Sequence, residues 1–277
     1  MKFIKSIGLV CLICFSFFYT EKVIDVVSEQ DVIMIKINEI KDDYKIEPIL
    51  ATIKEDTIIP GINGIEVDVD KSYNEMKQIG IFKEMLLIYK QIEVNNSLKN
   101  NYDKYVIKGN DINKNVSLVF NIANQHDIDN IIKKNKVKLN LFIDYRLLST
   151  NLNNLNKSNL YIYPNGDNGK YSNDIILFSN NLINRNFNNK PLFCITDTKN
   201  KEIIEVCKNN NMNTIIPNII DKGNAYNNIK KNIVNGSIIK LDVTNKTLSE
   251  LDSIIDFIKS KGYKIVSLEE LLSENRK

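Results

Sequence analysis

The 277-residue chain contains no tryptophan and a single histidine, at position 126. One histidine excludes any metal or catalytic site that requires two or more imidazoles from the same chain. The 37 basic and 34 acidic residues nearly cancel, leaving a formal net charge of +3 without a long basic run. Nucleic-acid binding therefore has little support. With 43% hydrophobic residues, a chain of this length is expected to form one or two globular domains.

Cysteine is also scarce, with four residues in the chain. Cys11 and Cys14 form a C-x-x-C pair inside the apolar run IGLVCLICFSFF, without other ligands nearby. Redox and zinc pairs need a folded polar setting, so we interpret these two as small hydrophobic residues. Cys194 and Cys207 lie on the apolar faces of a predicted strand and helix. We expect buried thiols there rather than a disulfide, which the sequence does not exclude.

Residues 1–20 begin with two lysines and continue in an apolar run from Ile7 to Tyr19. A helix of this length spans about 20 Å, less than the roughly 30 Å hydrocarbon core of a bilayer. The length favours a secretory signal peptide, and an uncleaved membrane anchor is the alternative. In both cases we expect the remaining chain to be extracytoplasmic, membrane-anchored or secreted.

The stretch from Lys114 to Asp144 combines a strand, a helix and a second strand without proline or glycine. Residues 116–120 are apolar and rich in β-forming side chains, and residues 137–143 alternate apolar with polar residues. Between them, isoleucines at 128, 131 and 132 fall on one face of a helix. This pattern predicts a βαβ unit with parallel strands and a right-handed crossover.

The hydrophobic-hydrophobic-Phe strand, its polar turn and the segment IIKKNKVKLNLFID resemble the opening of the polysaccharide deacetylase family, carbohydrate esterase family four. The resemblance implies a distorted (β/α) barrel. In that family the first strand reads Thr-Phe-Asp-Asp-Gly-Pro, with one Asp as catalytic base and the next as metal ligand. Here the corresponding residues are Val119, Phe120, Asn121 and Ile122. Both carboxylates are missing.

Three further motifs of the family are also changed. The region NLYIYPNGDNGKYSND, where the family has His-x-x-x-His, contains no histidine. The Arg-x-Pro-x-Gly motif is replaced by residues 193–196, Phe-Cys-Ile-Thr, and the Leu-His motif by Leu241 and Asp242. Family members use a divalent metal such as zinc, so the resemblance implies that the cofactor's ligands are absent here. We therefore expect no cofactor and no intact catalytic residue.

Residues 21–110 are predicted to form a small α/β domain, and residues 111–277 the degenerate deacetylase-like barrel. In the first segment we predict strands over residues 32–37, 46–53 and 85–92, and a helix capped by Asp70 and ended by Gly80. The string PGINGIEVDVDKSYNEMK resembles an N-terminal domain that precedes deacetylase-like domains in envelope proteins of low-GC Gram-positive bacteria. Near the C-terminus we predict a helix from Leu251 to Ser260, capped by Thr247 or Ser249.

Two acidic pairs could also bind a hard cation. Asp68 and Asp70 fit better as a solvated strand residue and a helix cap. Asp167 and Asp174 fit better as loop and cap residues.

Three functions fit the sequence. The first is a catalytically inactive deacetylase-like protein of the cell envelope, which binds cell-wall glycan or an envelope protein in the old cleft. Its glycan-binding candidates are Tyr145, Tyr161 and Tyr163. The second is a carbohydrate deacetylase or other hydrolase with a relocated site, in which Asp144, Asp197 and Asp242, at predicted C-terminal strand ends, hold Mg²⁺ or Ca²⁺.

The third is a protein whose N-terminal domain docks a partner, which an exposed apolar patch beside PGINGIEVDVD would favour. If the chain is active, the expected reaction is hydrolysis of carbon–nitrogen bonds in a polysaccharide. A transition metal held by His126 and neighbouring acids would contradict the inactive interpretation.

Overall fold

The computed structural model describes residues 31–134, 136–150, 155 and 159–276. The predicted signal peptide or anchor, including Cys11 and Cys14, lies outside these residues. None of the helices in the described ranges is long and apolar enough to cross a membrane. The described chain forms two compact units, one of residues 31–48, 63–92 and 276 and the other of residues 49–62 and 93–275.

The strands are β1 Thr52–Lys54, β2 Thr57–Ile59, β3 Gly64–Val67, β4 Tyr89–Ile92, β5 Tyr105–Val106, β6 Asn115–Ile122, β7 Leu139–Ile143, β8 Leu160–Pro164, β9 Phe193–Ile195, β10 Asn213–Ile215, β11 Ile219–Ile220, β12 Ile238–Leu241 and β13 Lys264–Ile265. The α-helices are α1 Val32–Ile40, α2 Val69–Ile79, α3 Gln125–Lys134, α4 Tyr145–Leu148, α5 Asn173–Phe187, α6 Lys201–Asn209, α7 Ala225–Asn232, α8 Asn245–Ser260 and α9 Leu268–Leu271.

The first unit packs α1 and α2 together beside the antiparallel pair β3 and β4. The prediction of a strand over residues 32–37 is wrong, because this segment lies in α1. The side chain of Asp31 accepts a hydrogen bond from the backbone N–H of Ile33 and caps the helix. Ile33, Met34 and Ile37 are buried, and their spacing places them on one helical face.

Helix α2 begins two residues earlier than predicted. Its cap is Asp68, whose carboxylate accepts from the backbone N–H of Lys71, and not Asp70. The Lys71 ammonium, 3.1 Å from Asp68, and this hydrogen bond lower the pKa of the Asp68 carboxyl. The helix ends at Gly80 as predicted, where φ is 75°. The predicted strand over residues 85–92 is shorter, because residues 84–86 form a 3-10 turn before β4.

The second unit contains two sheets of mainly parallel strands. One has the order β11-β12-β6-β7-β8, with β13 also pairing with β6, and the other has the order β1-β2-β5-β10-β9. Only residues 216–218 separate β10 from β11, so one extended segment leaves the second sheet and enters the first. The predicted βαβ unit is confirmed as β6, α3 and parallel β7. The described strands alternate with helices as in a (β/α) barrel, but their pairing does not close a ring.

Side chains alternate along the parallel strands between two hydrophobic cores. The outer core lies between the strands and the helices, and the inner core lies between facing strands. Leu118, Phe120 and Ile122 of β6 pack in the outer core with residues of α3 and α8. Val119, the residue between them, packs in the inner core with Phe142 and other residues from facing strands. Successive side chains of a strand point to opposite faces, so the strand register decides which residues line the interior.

A disulfide joins Cys194 of β9 to Cys207 of α6, with 6.3 Å between the two Cα atoms. The expectation of buried thiols is therefore wrong about bonding, although both residues are fully buried. The helix packs directly over the preceding strand, and this crossover brings together two sulfurs that are 13 residues apart in sequence. Disulfides persist mainly in oxidising compartments.

Two other helices begin at different caps from those predicted. Helix α8 starts after Thr244, whose side chain accepts from the backbone N–H of Thr247. The Thr247 hydroxyl donates instead to Asp221 at 2.7 Å. Helix α5 begins after Ser172, which leaves Asp174 in the first turn. In both helices the cap lies upstream of the predicted one, so the helix starts earlier than the sequence indicates.

Candidate functional site

Six polar residues lie at the carboxyl ends of the parallel strands and continue the register of the inward-facing positions. We call this group the mouth, since active sites of (β/α) barrels lie at this end. Its members are Asn121, Asp144, Asn165, Asp197, Lys240 and Asp242.

Asn121 is the mouth residue with an unused hydrogen-bonding group. Its Oδ1 atom is buried and accepts no hydrogen bond from any described residue. Leaving a buried acceptor unpaired costs about 1–3 kcal/mol, so a donor that reached this oxygen would gain a favourable hydrogen bond. The next residue, Ile122, is fully buried in the outer core. The family's metal-ligating position is thus occupied by an aliphatic side chain.

Lys240 brings a buried cation to the mouth. Only 7% of this residue is exposed, and its ammonium donates to both carboxylate oxygens of Asp197, at 2.6 and 2.8 Å. A buried ammonium needs such a partner, because its desolvation is costly. Asp197 is consequently committed to an ion pair and is not available as an unoccupied metal ligand.

Asp144 has a local structural role. It is 2% exposed, and its two carboxylate oxygens accept from the backbone N–H groups of Arg146, at 2.9 Å, and Asn168, at 2.7 Å. The first bond caps α4 and the second holds the turn that follows β8. Asp167 in this turn also pairs with Arg146, so it is a loop residue as expected.

A further acid, Asp221, follows β11 and is not among the residues that the sequence indicates. It is 5% exposed and accepts from Thr247 Oγ1 and from the backbone N–H of Gly223. Partial burial, and then the Asp221 carboxylate, raise the pKa of Asp242, while Lys240 opposes this effect. Asp221 follows a strand end as Asp144 and Asp197 do, but β11 has only two residues and gives no clear strand pattern.

The structure does not assemble the relocated metal site proposed from Asp144, Asp197 and Asp242. Among residues 31–134, 136–150, 155 and 159–276, no group of three or more His, Cys, Asp or Glu side chains is placed to hold a metal ion. His126 lies exposed on α3. With an aliphatic residue at position 122 and Asp197 paired to Lys240, the donors at the mouth do not fit the divalent metal of the family.

The three tyrosines proposed to bind glycan lie in different places. Tyr145 is half-buried at the start of α4, with the Arg146 guanidinium 5.9 Å from its ring centroid. Tyr163 is wrong as a candidate, because it is fully buried and its ring stacks on Phe142 with centroids 4.9 Å apart. Its burial raises the pKa of the phenol well above the usual value.

Tyr161 is remote from the mouth. It occupies the amino-terminal part of β8, and its phenol lies beside Lys138, which precedes β7. The mouth lies at the opposite end of these parallel strands. Of the three tyrosines, therefore, Tyr145 alone adjoins the mouth.

Proteins of similar sequence and similar fold are known. No protein-family model matches the chain. The protein named "Uncharacterized protein YlxY" of Bacillus subtilis is 26% identical over 260 residues, which cover 84% of this chain and 81% of YlxY.

Among solved structures, BA3943, a CE4 family pseudoenzyme from Bacillus anthracis, matches with a TM-score of 0.63 and 25% identity, over 90% of this chain and 97% of that chain. Bacillus subtilis PdaA, a family 4 carbohydrate esterase, matches with a TM-score of 0.50 and 16% identity, over 82% of this chain and 98% of PdaA. These similarities confirm the barrel-like fold and the resemblance inferred from the sequence.

Proposed function

We propose that this degenerate polysaccharide deacetylase-like protein binds N-acetylated glycan of the cell envelope at its mouth and does not hydrolyse it. Support comes from the structural similarity to a pseudoenzyme of carbohydrate esterase family four. It also comes from the mouth, which is lined by polar side chains although its ligand atoms do not fit the divalent metal of the family.

The observation that carries the proposal is the buried, unpartnered Oδ1 of Asn121. The resemblance places Asn121 where family members have the catalytic carboxylate. An amide oxygen can accept a hydrogen bond from a sugar hydroxyl or from an acetamido N–H group. It cannot take a proton from water near neutral pH, as a catalytic base must. Asn121 can therefore bind the sugar but cannot act as the catalytic base.

Two features support a location outside the cytoplasm. The disulfide between Cys194 and Cys207 suits an oxidising compartment. The apolar run within residues 1–20 suits a signal peptide or an anchor that attaches the protein to the membrane. Both features agree with a partner in the cell wall.

Hydrolysis would require an activated water molecule and a base to deprotonate it. A hydrolytic metal is generally held by about three protein ligands with one open position. The described residues contain no such group, and Lys240 occupies Asp197. No observation favours the relocated hydrolytic site, so we do not adopt it as a second function.

The proposal is tested by calorimetric titration of the full chain with an N-acetylglucosamine oligomer and with peptidoglycan fragments. Asn121→Leu removes the unpaired acceptor while keeping a similar volume, so the fold should remain at least as stable. We expect it to weaken binding about tenfold or more. Asn184→Ala, at an exposed position on α5, is the matched control and should bind as the unaltered chain does.

Two results would overturn the proposal. One is binding by Asn121→Leu with undiminished affinity. The other is the absence of binding to any N-acetylated glycan by a folded, unaltered chain.

A further inference from the structure

A groove with a volume of about 620 Å³ lies between β11 and α7, and both apolar and polar residues line it. Its exposed polar lining consists mainly of lysine and asparagine side chains: Asn218, Lys222, Asn224, Asn227, Lys231 and Asn232. None of these residues belongs to the mouth, and no acidic residue lines the groove.

The groove follows from an irregularity in the barrel. Parallel strands of a (β/α) barrel are normally each followed by a helix that covers the outer surface. Here β10 continues into β11 through residues 216–218 without a helix between them. One edge of β11 pairs with β12, and the other has no strand partner among the described strands. Helix α7 buries Ala225 and Ile229, and its polar side remains beside the uncovered edge.

Hydrogen bonds within the groove hold its amide side chains in place. Asn227 Nδ2 donates to Asn224 Oδ1 at 3.0 Å, and Asn228 Nδ2 donates to the carbonyl of Ile220 at 2.8 Å. Asn232 Nδ2 donates to Asn228 Oδ1 at 2.6 Å. A ligand would thus meet amides that are already ordered, which lowers the entropic cost of binding.

The charge of the groove is positive. Lys222 and Lys231 are exposed and form no ion pair with any residue in the described ranges. Lys246 adds a third cation nearby, because its ammonium donates to the carbonyl of Gly223. The neighbouring acid, Asp221, is buried and already bonded to Thr247 and to the Gly223 N–H.

We propose that this groove binds a phosphodiester-linked polyol or sugar polymer. Lysines supply the charge, and amide N–H groups can donate to the several acceptor oxygens of each phosphodiester. A concave groove accommodates one polymer chain, whereas a lipid surface is flat and would not reach residues below the rim. This site is independent of the mouth and does not require glycan binding there.

The experiment uses the full chain and soluble polyglycerol phosphate, with affinity measured by calorimetry at about 50 mM and about 500 mM NaCl. We expect binding that weakens at the higher salt concentration. Lys222→Gln combined with Lys231→Gln should weaken it about tenfold or more. The matched control, Lys201→Gln with Lys230→Gln, removes two exposed lysines that do not line the groove and should leave affinity unchanged.

Further measurements distinguish binding in this groove from binding at the mouth, to other polyanions or to lipid vesicles. Asn121→Leu should bind polyglycerol phosphate normally, so failure of glycan binding at the mouth and failure at the groove are distinguishable. The proposal would be overturned by equal losses in the two lysine pairs or by no binding to polyglycerol phosphate. It would likewise be overturned by equal affinity for polygalacturonate, or by binding confined to phosphatidylglycerol vesicles. Circular dichroism of each variant confirms that a loss reflects binding rather than unfolding.

Discussion

Removing the disulfide between Cys194 and Cys207 should destabilise the second unit by a predictable amount. The two residues are 13 positions apart, and a loop of this length restricts the unfolded chain by about 3 kcal/mol in the chain-entropy model. For a unit of this size, 1 kcal/mol corresponds to about 2–4 °C in Tm. The double substitution Cys194→Ala and Cys207→Ala should therefore lower Tm by about 6–12 °C.

The measurement is thermal and urea unfolding of the full chain with and without a reductant. Reductant should destabilise the unaltered chain and have no effect on the double alanine variant. Thiol labelling under denaturing, non-reducing conditions should leave Cys194 and Cys207 unmodified, and prior reduction should expose both to the reagent. Labelling of Cys194 and Cys207 without prior reduction, or identical unfolding with and without reductant, would refute the reasoning.

Three further predictions concern the fold and the mouth. Asp197→Asn leaves the buried Lys240 ammonium without a carboxylate and should lower the free energy of unfolding by about 2 kcal/mol, a modest loss because Asp197 is only half-buried. Adding Lys240→Met should recover most of this loss. Additive losses in urea unfolding would contradict the pairing. Gly61→Ala would place its Cβ against the backbone oxygen of Ile49 and should lower Tm more than Gly80→Ala, where the Cβ has open space but φ is 75°. Equal shifts in Tm would show that the backbone around Gly61 relaxes. Because the pKa of Asp242 is raised in the folded state, ionisation of this carboxyl disfavours the folded state as pH rises through that pKa. Asp242→Asn should therefore raise Tm at pH values above the pKa and leave Tm unchanged at pH values below it. Thermal unfolding from about pH 3 to 8 measures this difference.

Regular alternation made parts of the fold predictable. Strands β6 and β7 were predicted because apolar and polar residues alternate along β7 and the intervening helix carries isoleucines on one face. The same reasoning failed for α1, whose residues Val32–Ile40 form an apolar run rich in isoleucine. Such runs suit strands and buried helices equally, and the cap at Asp31 is the feature that distinguishes them.

The candidate site was only partly predictable, for a related reason. Strand ends identify Asn121, Asp197 and Asp242 as residues near the mouth without any knowledge of tertiary contacts. The pairing of Lys240 with Asp197 depends on how the strands β9 and β12 face each other across the interior. The register that buries Tyr163 in the inner core likewise becomes visible only when the sheets are assembled.

The most direct test of the central claim measures acetate released from an N-acetylglucosamine oligomer or peptidoglycan by the full chain with added Zn²⁺, Co²⁺ or Mn²⁺. A mouth with an amide at position 121, an aliphatic residue at 122 and a lysine paired to Asp197 predicts no release above the buffer control. Metal-dependent acetate release above that control would contradict the account.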